Sequence, residues 1–423
     1  MKILVIGKDA KEHAICMKLS QSEIAKEIFC IPGNIGTQEF ATNVDIFENE
    51  IEKIVDFSIQ NQIDFVIVSS KKALTLGLVD ALQRYGIVVF GPNKNVMGII
   101  SSRSYQKKLF AKNKIFTPRF CVFEKETAAI DYARNAKYPI LIKLDSDTSD
   151  INTYLAHTFT QAKKYIEYSF SDLNKKIIIE EALNAKEIVI PVLVDGAAAL
   201  PLSATRLFRH TADGDGGAIT TGMGAYATPI DKELEIYIAD NIVFPFLDGL
   251  LINKTPYFGM LAFHLNILSD GRVFLEEVNS DLGNIMTQTV LSLLKEDFAK
   301  LCYDCATGCM GDLYQSIAQE PFLTSASLML IKKPYPKEFE KGSIITIEEN
   351  LDDDLQIFYN RVIKNIYFEK ITDGGQVLSL TSIGATLTSA INKLYENIDY
   401  INFDGKNYRK DLGKNLFWEM NIE

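Results

Sequence analysis

The sequence of 423 residues contains few cysteines, few histidines and a single tryptophan, and its acidic residues outnumber its basic ones. Its 6 cysteines are scattered along the chain, which excludes a disulfide-bonded framework. No apolar stretch approaches the roughly 18 residues of a membrane-spanning helix, so a membrane partner is not expected. The net charge of -11 disfavours nucleic acid as a partner, because the surface as a whole repels polyanions. We therefore expect a cytoplasmic protein.

The few histidines and cysteines form no signature of nucleophilic catalysis. The histidines are His13, His157, His210 and His264. None of them accompanies a Ser-His-Asp or Cys-His pattern. Cys302, Cys305 and Cys309 are spaced to share one face of a predicted helix from Asp297 to Met310. Three thiolates could hold a metal, but no fourth ligand lies nearby, and buried cysteines are common in amphipathic helices.

Hydrophobic patterns divide the chain into three regions. From Lys2 to Phe90 short β-branched runs alternate with helical patterns, which predicts a parallel sheet with crossover helices. The middle region is α+β, and the chain becomes mostly β after about Glu320. We expect an N-terminal α/β domain over residues 1–101, a middle domain over 102–319 with an inserted subdomain at about 115–185, and a small β-rich C-terminal domain over 320–423.

Glu277 and Asn279 end a predicted strand that begins at Val273. Because residues two apart in a strand point to the same face, the carboxylate and the amide oxygen would face one point in space. Mg²⁺ is typically held by one or two such oxygens together with substrate phosphates. The pair is therefore a candidate metal site, and the alternative is a strand end that turns into solvent.

Charged residues also lie in or directly after apolar runs. Lys143 lies in the run Pro139–Leu144, where an unpaired ammonium would be costly to bury, so it either meets an anion such as phosphate or extends to water. Glu180 and Glu181 follow another apolar run, and they either bind a nucleotide or form a solvated strand end.

A glycine-rich segment runs from Asp213 to Tyr226. Glycine permits the close backbone approach that anion binding needs, and Arg206, Arg209 and His210 lie just before the segment. We interpret it as a substrate loop, and the alternative is a disordered hairpin loop.

Taken together, these segments resemble the phosphoribosylamine–glycine ligase family. In that family an N-terminal α/β domain precedes an ATP-grasp domain pair and a small C-terminal domain, so the resemblance implies this architecture from Lys2 to about Gly413. The segments that carry it are Glu12–Ala14, Pro32–Thr37, Phe90–Pro92, Ile179–Glu181, Asp213–Asp215, Gly222–Tyr226, Glu277 with Asn279, and Arg409–Gly413.

The resemblance implies roles for individual residues. The residues implied in catalysis are Lys143, Asp213 and Arg209. Those that would bind ATP are Arg103, Lys143, Glu180, Glu181, Leu183 and Glu187. Those that would face phosphoribosylamine and glycine are Gly33, Asn34, Gly36, Thr37, Asp213, Gly222 and Gly224. Glu277 and Asn279 would hold Mg²⁺, with Mn²⁺ as an alternative.

The implied reaction belongs to de novo purine biosynthesis. The γ-phosphoryl group of ATP would pass to the carboxylate of glycine, and the amine of phosphoribosylamine would attack the resulting acyl phosphate to give glycinamide ribonucleotide. Positioning and charge neutralisation would provide most of the catalysis. The protein is expected to be a monomer or a homodimer.

This chain departs from the family pattern in two respects. Where the family has a glycine-rich loop with a second lysine, the stretch 145–152 has neither glycine nor lysine and carries Asp145, Asp147 and Asp150. Asp9–Lys11 replaces the family's Gly-Gly-Arg, and Ser69–Lys71 replaces its Gly-Pro-Glu. Asp281 replaces an arginine near the metal site, and Asn284 and Met286 replace two acidic residues. Arg103 replaces a lysine that contacts ATP. Two alternatives to the ligase are therefore an ATP-grasp relic that acts as a binding or scaffold protein, and an ATP-grasp ligase with a changed amine or acid.

Overall fold

The computed structural model describes residues 1–145, 153–172, 176–311 and 323–414. Most of the acidic stretch discussed above, residues 146–152, therefore lies outside the described residues. Within the described ranges, no helix has both the length and the apolar character needed to cross a bilayer.

The N-terminal region forms the parallel sheet expected from the sequence. Its strands are β1 (Lys2–Gly7), β2 (Glu27–Pro32), β3 (Thr42–Asn43), β4 (Phe65–Val68) and β5 (Val88–Phe90), in the order β3-β2-β1-β4-β5. Its helices are α1 (Ala10–Ser20), α2 (Ile51–Gln60), α3 (Lys71–Leu76), α4 (Leu78–Gln83) and α5 (Lys94–Ile100). All four residues of β4 are buried, as is typical of a parallel strand covered on both faces. In such sheets ligands bind beyond the carboxyl ends of the strands.

A small antiparallel sheet follows. Its strands are β6 (Phe120–Phe123), β7 (Ile140–Leu144), β8 (Thr153–Ala156) and β9 (Ile177–Glu181), in the order β6-β9-β7-β8. The helices of this part of the chain are α6 (Arg103–Lys112), α7 (Glu126–Arg134) and α8 (Phe159–Asp172). The apolar residues of β7 and β9 pack against α7 and α8 in a core of their own.

The next part of the chain builds most of a large antiparallel sheet. Its strands are β10 (Lys186–Asp195), β11 (Ala199–Pro201), β12 (Ala204–Ala212), β13 (Gly216–Thr228), β14 (Phe258–Ile267) and β15 (Val273–Asn279). The helices are α9 (Lys232–Ile238), α10 (Phe244–Ile252), α11 (Gly283–Leu293) and α12 (Phe298–Thr307). A π-helical turn, Ala239–Val243, joins α9 to α10.

The C-terminal region is rich in β-structure, as expected. Its strands are β16 (Thr324–Lys332), β17 (Thr346–Ile347), β18 (Gln356–Tyr359), β19 (Val362–Lys364), β20 (Lys370–Thr372), β21 (Gln376–Gly384), β22 (Ile401–Asn402) and β23 (Lys406–Asn407), and its helix is α13 (Leu387–Asn397). Several of these strands extend the large sheet, whose order is β15-β14-β10-β12-β13-β16-β21-β18. One core joins the N-terminal sheet to this sheet through α1, α11 and α12. The fold class predicted from the sequence is thereby confirmed.

Gly77, with a φ of 90°, separates α3 from α4. Two local predictions are wrong. The glycine-rich segment after Asp213 is mostly strand β13, and only residues 213–215 form a turn at the tip of its hairpin with β12. The three neighbouring cysteines do not share a helix face, because α12 ends at Thr307 and Cys309 lies exposed beyond it.

Candidate active site

A buried ion cluster joins the small antiparallel sheet to helix α6. Glu180 in β9 lies between two lysines, with Oε1 3.2 Å from Lys107 Nζ and Oε2 3.3 Å from Lys143 Nζ. All three side chains are almost fully buried. Lys143 is therefore neither an unpaired buried cation nor a lysine that extends to water, and the carboxylate of Glu180 is engaged by protein.

Lys143 also reaches across to the large sheet. Its Nζ lies 2.6 Å from Glu276 Oε1, while Glu276 Oε2 accepts a hydrogen bond of 3.1 Å from Asn266 Nδ2. Burial by itself would lower the pKa of Lys143, but Glu180, Glu276 and Glu277 outweigh it and raise the pKa. The pKa of Glu276 is lowered to about 2, since Lys143 outweighs the effect of burial. Lys143 and Glu276 therefore carry opposite charges across the physiological pH range.

A β-bulge explains why the adjacent residues Glu276 and Glu277 both lie within electrostatic range of Lys143. His264 in β14 pairs with Glu277, whereas the next residue, Leu265, pairs with Leu275, so Glu276 has no partner across the strand pair. An extra residue of this kind bends its strand and redirects a side chain.

Glu277 and Asn279 lie on one face of β15, as predicted. Glu277 Oε1 is 3.5 Å from Asn279 Nδ2, and Glu277 Oε2 accepts a hydrogen bond of 3.0 Å from Arg103 Nε. Arg103 also donates to the carbonyl of Leu144. Burial by itself would raise the pKa of Glu277, but Arg103, His264 and Lys143 hold it well below its usual range. Glu277 is therefore an ionised carboxylate.

His264 contacts the same pair from the neighbouring strand. Its Nε2 is 3.0 Å from Asn279 Nδ2, and the ring is half-buried. Burial lowers the pKa of His264, so the neutral ring is favoured. A neutral imidazole nitrogen without hydrogen can accept a hydrogen bond from the amide.

The other residues expected at a nucleotide site lie around this cluster. Glu187 is exposed at the start of β10 and lies within electrostatic range of Lys143, Glu276 and Arg209. Arg209 in β12 is half-buried, and among the described residues its Nε has no hydrogen-bond partner. Glu181 is tied to Arg119, whose backbone N–H donates to Glu181 Oε1 at 2.9 Å. Leu183 is half-buried in the connection between β9 and β10.

Two of the residues expected to face phosphoribosylamine and glycine, Gly33 and Asn34, border a separate cavity of about 500 Å³. It lies at the carboxyl end of β1 and β2, opposite the hairpin of β19 and β20. Its lining includes Lys8, Gly33, Asn34, Asp45, Arg361 and Asp373. Gly36 and Thr37 do not line it, and Thr37 instead donates to Asn43 Oδ1 at 2.7 Å.

The amide of Asn34 holds this segment in place. Its Nδ2 donates to the carbonyls of Lys8, Asp9 and Tyr359, and its Oδ1 accepts from the backbone N–H groups of Gly36 and Thr37. Asn34 therefore shapes the cavity wall through contacts with protein.

The glycine-rich strand contributes less to an open site than the sequence predicts. Gly222 and Gly224 are buried, and a side chain there would collide with Ile285 and Leu412 respectively. Asp213, in contrast, is exposed at the hairpin tip, and its Oδ1 accepts a hydrogen bond of 2.8 Å from the backbone of Lys410. Close packing accounts for the two glycines, and the hairpin tip carries the exposed carboxylate of Asp213.

The substitutions at family positions lie next to one another. Lys11 Nζ is 2.8 Å from both Asp281 Oδ2 and the carbonyl of Ser69, and the backbone N–H of Lys11 lies 3.4 Å from Asn284 Oδ1. The positive charge of Lys11 and the negative charge of Asp281 thus neutralise each other across the boundary between two domains.

Four residues of the site were not predicted from the sequence. Lys107, Glu276, His264 and Asn266 each touch one of the predicted residues. Strand alternation gives no signal for Glu276, because the bulge breaks the alternation. His264 and Asn266 are two residues apart in β14, so the sequence indicates that they share a face. Only the pairing of β14 with β15 shows that this face lies beside Glu277 and Glu276.

Glu277 and Asn279 suit a metal ion that takes its remaining ligands from a bound substrate. Over the described ranges, no group of three or more His, Cys, Asp or Glu side chains is arranged to hold a metal ion. One ionised carboxylate and one amide oxygen match what Mg²⁺ takes from protein when phosphate oxygens and water complete its shell.

Comparison with known proteins identifies the family. The chain matches the models described as Phosphoribosylglycinamide synthetase, N domain, over residues 1–99, ATP-grasp (A) domain over 101–286, and C domain over 325–415. It is 30% identical over 423 residues to the phosphoribosylamine–glycine ligase of Haemophilus influenzae, covering 98% of each chain. It is 32% identical over 420 residues to that of Caldanaerobacter subterraneus, covering 97% of this chain and 99% of the relative.

Solved structures agree in fold. The phosphoribosylamine–glycine ligase of Thermotoga maritima superposes with a TM-score of 0.83 at 25% identity, covering 97% of this chain and 100% of that one. A biotin carboxylase domain of Hydrogenobacter thermophilus, in complex with ADP and magnesium, shares the fold with a TM-score of 0.70 at 13% identity, covering 96% and 91% of the two chains. On these matches the chain belongs to the phosphoribosylamine–glycine ligase family, as the sequence motifs predict.

Proposed function

We propose that this chain uses ATP to join glycine to phosphoribosylamine, and that the two sheets carrying Lys143 and Glu277 hold the nucleotide between them. The supporting observation is that Lys143 in the small sheet contacts Glu276 in the large sheet and lies within electrostatic range of Glu277, which has Asn279 beside it. Residues far apart in sequence thus gather a cation, carboxylates and an amide at one place, which is the combination that a metal-bound polyphosphate requires.

In this proposal Lys143 and Arg103 face the phosphates of ATP. Both are held by carboxylates in the structure, Lys143 by Glu180 and Glu276 and Arg103 by Glu277. Their side chains are therefore already oriented before a nucleotide binds, which reduces the ordering cost of binding. Glu181, Leu183 and Glu187 lie along the β9–β10 connection, where the adenine and ribose would rest.

Glu277 and Asn279 would hold Mg²⁺ in this proposal. When bound, the ion would neutralise negative charge on the phosphoryl oxygens of ATP.

Phosphoribosylamine would occupy the cavity beside Gly33 and Asn34. Its volume of about 500 Å³ lies in the range typical of small-molecule sites. Lys8 and Arg361 supply positive charge for a phosphate, and Asp45 and Asp373 supply acceptors for ribose hydroxyls.

The reaction then proceeds in two steps. A carboxylate oxygen of glycine attacks the γ-phosphorus of ATP, the bond from that phosphorus to the β–γ bridging oxygen breaks, and ADP leaves. The amine nitrogen of phosphoribosylamine next attacks the acyl carbon, inorganic phosphate leaves with the bond electrons, and the nitrogen loses a proton. Arg209 and Asp213 would flank the acyl phosphate, with Arg209 facing its negative charge.

The experiment is an assay of ADP release with freshly generated phosphoribosylamine. We expect ADP release to require both phosphoribosylamine and glycine and to yield glycinamide ribonucleotide in equal amount. ADP release that is unaffected by omitting either substrate would overturn the proposal. If the protein binds ATP yet responds to another amine or acid, the substrates differ, and if it binds no ATP at millimolar concentration, it is a relic.

Two variants test whether the measured activity depends on the proposed metal site. Glu277→Ala should abolish ADP release and weaken binding of Mg-ATP, because it removes a carboxylate from the metal site. Asp240→Ala removes an exposed carboxylate from the π-helical turn and should leave both measurements unchanged. Equal activity in the two variants would place the chemistry elsewhere.

A further inference from the structure

His264 lies beside the amide that is proposed to hold the metal. Its Nε2 is 3.0 Å from Asn279 Nδ2, and the same Nδ2 is 3.5 Å from Glu277 Oε1. The amide nitrogen of Asn279 thus faces two acceptors, one on the neighbouring strand and one on its own strand. This leaves Oδ1 as the amide atom directed away from both.

The chemistry of the three groups fixes this orientation. An amide nitrogen donates two hydrogens and accepts none, whereas a carboxylate only accepts. If the amide were reversed, Oδ1 would face the Glu277 carboxylate, and two acceptors would be opposed. With Nδ2 toward Glu277, the second N–H needs another acceptor, and His264 Nε2 is the acceptor within 3.0 Å.

The backbone explains why His264 is in reach. His264 pairs directly with Glu277 across β14 and β15, and Asn279 pairs with Ala262 two residues away, so all three polar side chains project from the same face. The bulge at Glu276 keeps Glu277 on this face while the rest of the pairing shifts by one residue.

We propose that His264 is a positioning residue for the metal site: its Nε2 accepts from Asn279 and thereby turns Asn279 Oδ1 toward the metal ion that Glu277 and Asn279 share. The inference rests on the proposed function, because it assumes that these two residues hold the metal. Outer-sphere partners of this kind fix the orientation of the ligands they contact.

The test uses the full chain and compares binding of ADP with and without MgCl₂ by isothermal titration calorimetry. The quantity of interest is the factor by which Mg²⁺ tightens ADP binding. His264→Leu keeps a side chain of similar size but has no acceptor, and we expect that factor to fall about tenfold, the typical effect of losing an outer-sphere partner. His264→Gln places an amide oxygen near the position of Nε2 and should retain most of the factor.

The variants separate a failure of this inference from a failure of the proposed function. Asn279→Ala is the reference for the metal site itself. If Mg²⁺ does not tighten ADP binding in the wild-type protein, or if Asn279→Ala matches the wild type, the metal assignment is wrong. If Asn279→Ala loses the effect but His264→Leu matches the wild type, only the role of His264 is wrong. Equal losses in His264→Leu and His264→Gln would also overturn it, because the acceptor would then not be what matters.

A spectroscopic measurement distinguishes positioning from direct ligation. With Mn²⁺ and ADP bound, pulsed electron paramagnetic resonance detects a nitrogen that is coordinated to the ion. We expect no imidazole coupling, since Nε2 is occupied by the Asn279 amide. A coupling that is present in the wild type and absent in His264→Gln would show that His264 is a ligand and would overturn the positioning role. If His264→Leu fails to fold, His264→Asn takes its place in the calorimetry. The asparagine side chain is too short for its oxygen to reach Asn279.

Discussion

Lys11 and Asp281 are 270 positions apart in the chain, yet Lys11 Nζ and Asp281 Oδ2 are 2.8 Å apart. Asp281 stands where the family pattern has an arginine, and Lys11 belongs to the segment that replaces Gly-Gly-Arg. Their contact joins helix α1 of the N-terminal domain to the segment that follows β15, next to Ser69 of a third altered segment. The departures from the family are therefore coupled, and each acquires a partner that the sequence alone does not reveal.

This coupling predicts a non-additive pair of substitutions. Lys11→Met removes the ammonium that lies 2.8 Å from Asp281 Oδ2, and Asp281→Asn removes the carboxylate charge beside the Lys11 ammonium, whose side chain is 11% exposed. Because the double variant removes both charges, its loss of unfolding free energy should be smaller than the sum of the single losses by about 1 to 3 kcal/mol. Urea unfolding of the wild type and the three variants measures this difference.

An exposed ion pair provides the control for that cycle. Lys300 and Asp304 form a pair one turn apart in α12, with the Lys300 side chain 61% exposed. The same substitutions there should give a coupling of about 0.5 kcal/mol or less. Strict additivity at Lys11 and Asp281 would mean that the two side chains are not energetically coupled.

Glu276 predicts a gain in nucleotide affinity on substitution. Its carboxylate lies 2.6 Å from Lys143 Nζ, so it adds negative charge where a phosphate is proposed to bind. Glu276→Gln should tighten ATP binding about fivefold, since a like charge at about 4 Å in water costs about 1 kcal/mol. Calorimetry with Mg-ATP measures the change, and Glu167→Gln, at an exposed helix pair with Lys163, serves as the control. Weaker binding in Glu276→Gln would instead make Glu276 the residue that orients Lys143.

His13 predicts a specific loss of stability in acid. It is 2% exposed, and its Nδ1 accepts a hydrogen bond of 3.1 Å from the backbone of Tyr359. Burial, assisted by Lys370, lowers the pKa of His13 to about 4. Between this value and about 6.5 the unfolded chain binds more protons than the folded one, so stability is present above pH 6.5 and is lost as pH falls toward 4. The shift corresponds to about 3 kcal/mol.

A variant that cannot titrate isolates this effect. His13→Asn retains an acceptor oxygen close to the position of Nδ1 but has no pKa in this range. Thermal unfolding midpoints of the two proteins from pH 7 to pH 4.5 should therefore show the wild type losing stability more steeply. Parallel curves would mean that His13 is not held neutral in the folded protein.

The sequence predicted features that depend on local periodicity. Glu277 and Asn279 share a face because alternation along a strand is fixed by backbone geometry, and the structure places them 3.5 Å apart. The parallel sheet likewise followed from alternating strand and helix patterns. The family resemblance was predicted from ordered motifs, and comparison with relatives confirmed it.

Features that depend on tertiary contacts were not predicted. Glu276 joins the site through a bulge, and Lys107 joins it through Glu180, which is distant in sequence. Glycines were interpreted as a loop, although Gly222 and Gly224 lie in a strand that approaches Ile285 and Leu412 too closely for a side chain. Glycine in sequence indicates that space is needed, but it does not indicate whether a ligand or another part of the protein fills that space.

Arg409 predicts that the C-terminal segment controls the hairpin tip at Asp213. Arg409 is 1% exposed and forms two hydrogen bonds with Asp411, of 2.7 and 2.6 Å, and one of 2.8 Å with Asp215. The next residue, Lys410, donates its backbone N–H to Asp213. Arg409→Lys keeps the charge but cannot form the paired hydrogen bonds, so it should lower the unfolding free energy by about 3 kcal/mol.

Kinetic measurements distinguish a general loss of stability from a displaced tip. If Arg409 holds Asp213 in place for catalysis, Arg409→Lys should lower kcat/KM for glycine even at temperatures far below its unfolding midpoint, because the Lys410 backbone moves with its neighbour. Lys410→Met changes only an exposed side chain and keeps the backbone donor, so its kinetics should match those of the wild type. Reduced stability with unchanged kcat/KM in Arg409→Lys would mean that Arg409 stabilises the fold but does not position Asp213 for catalysis.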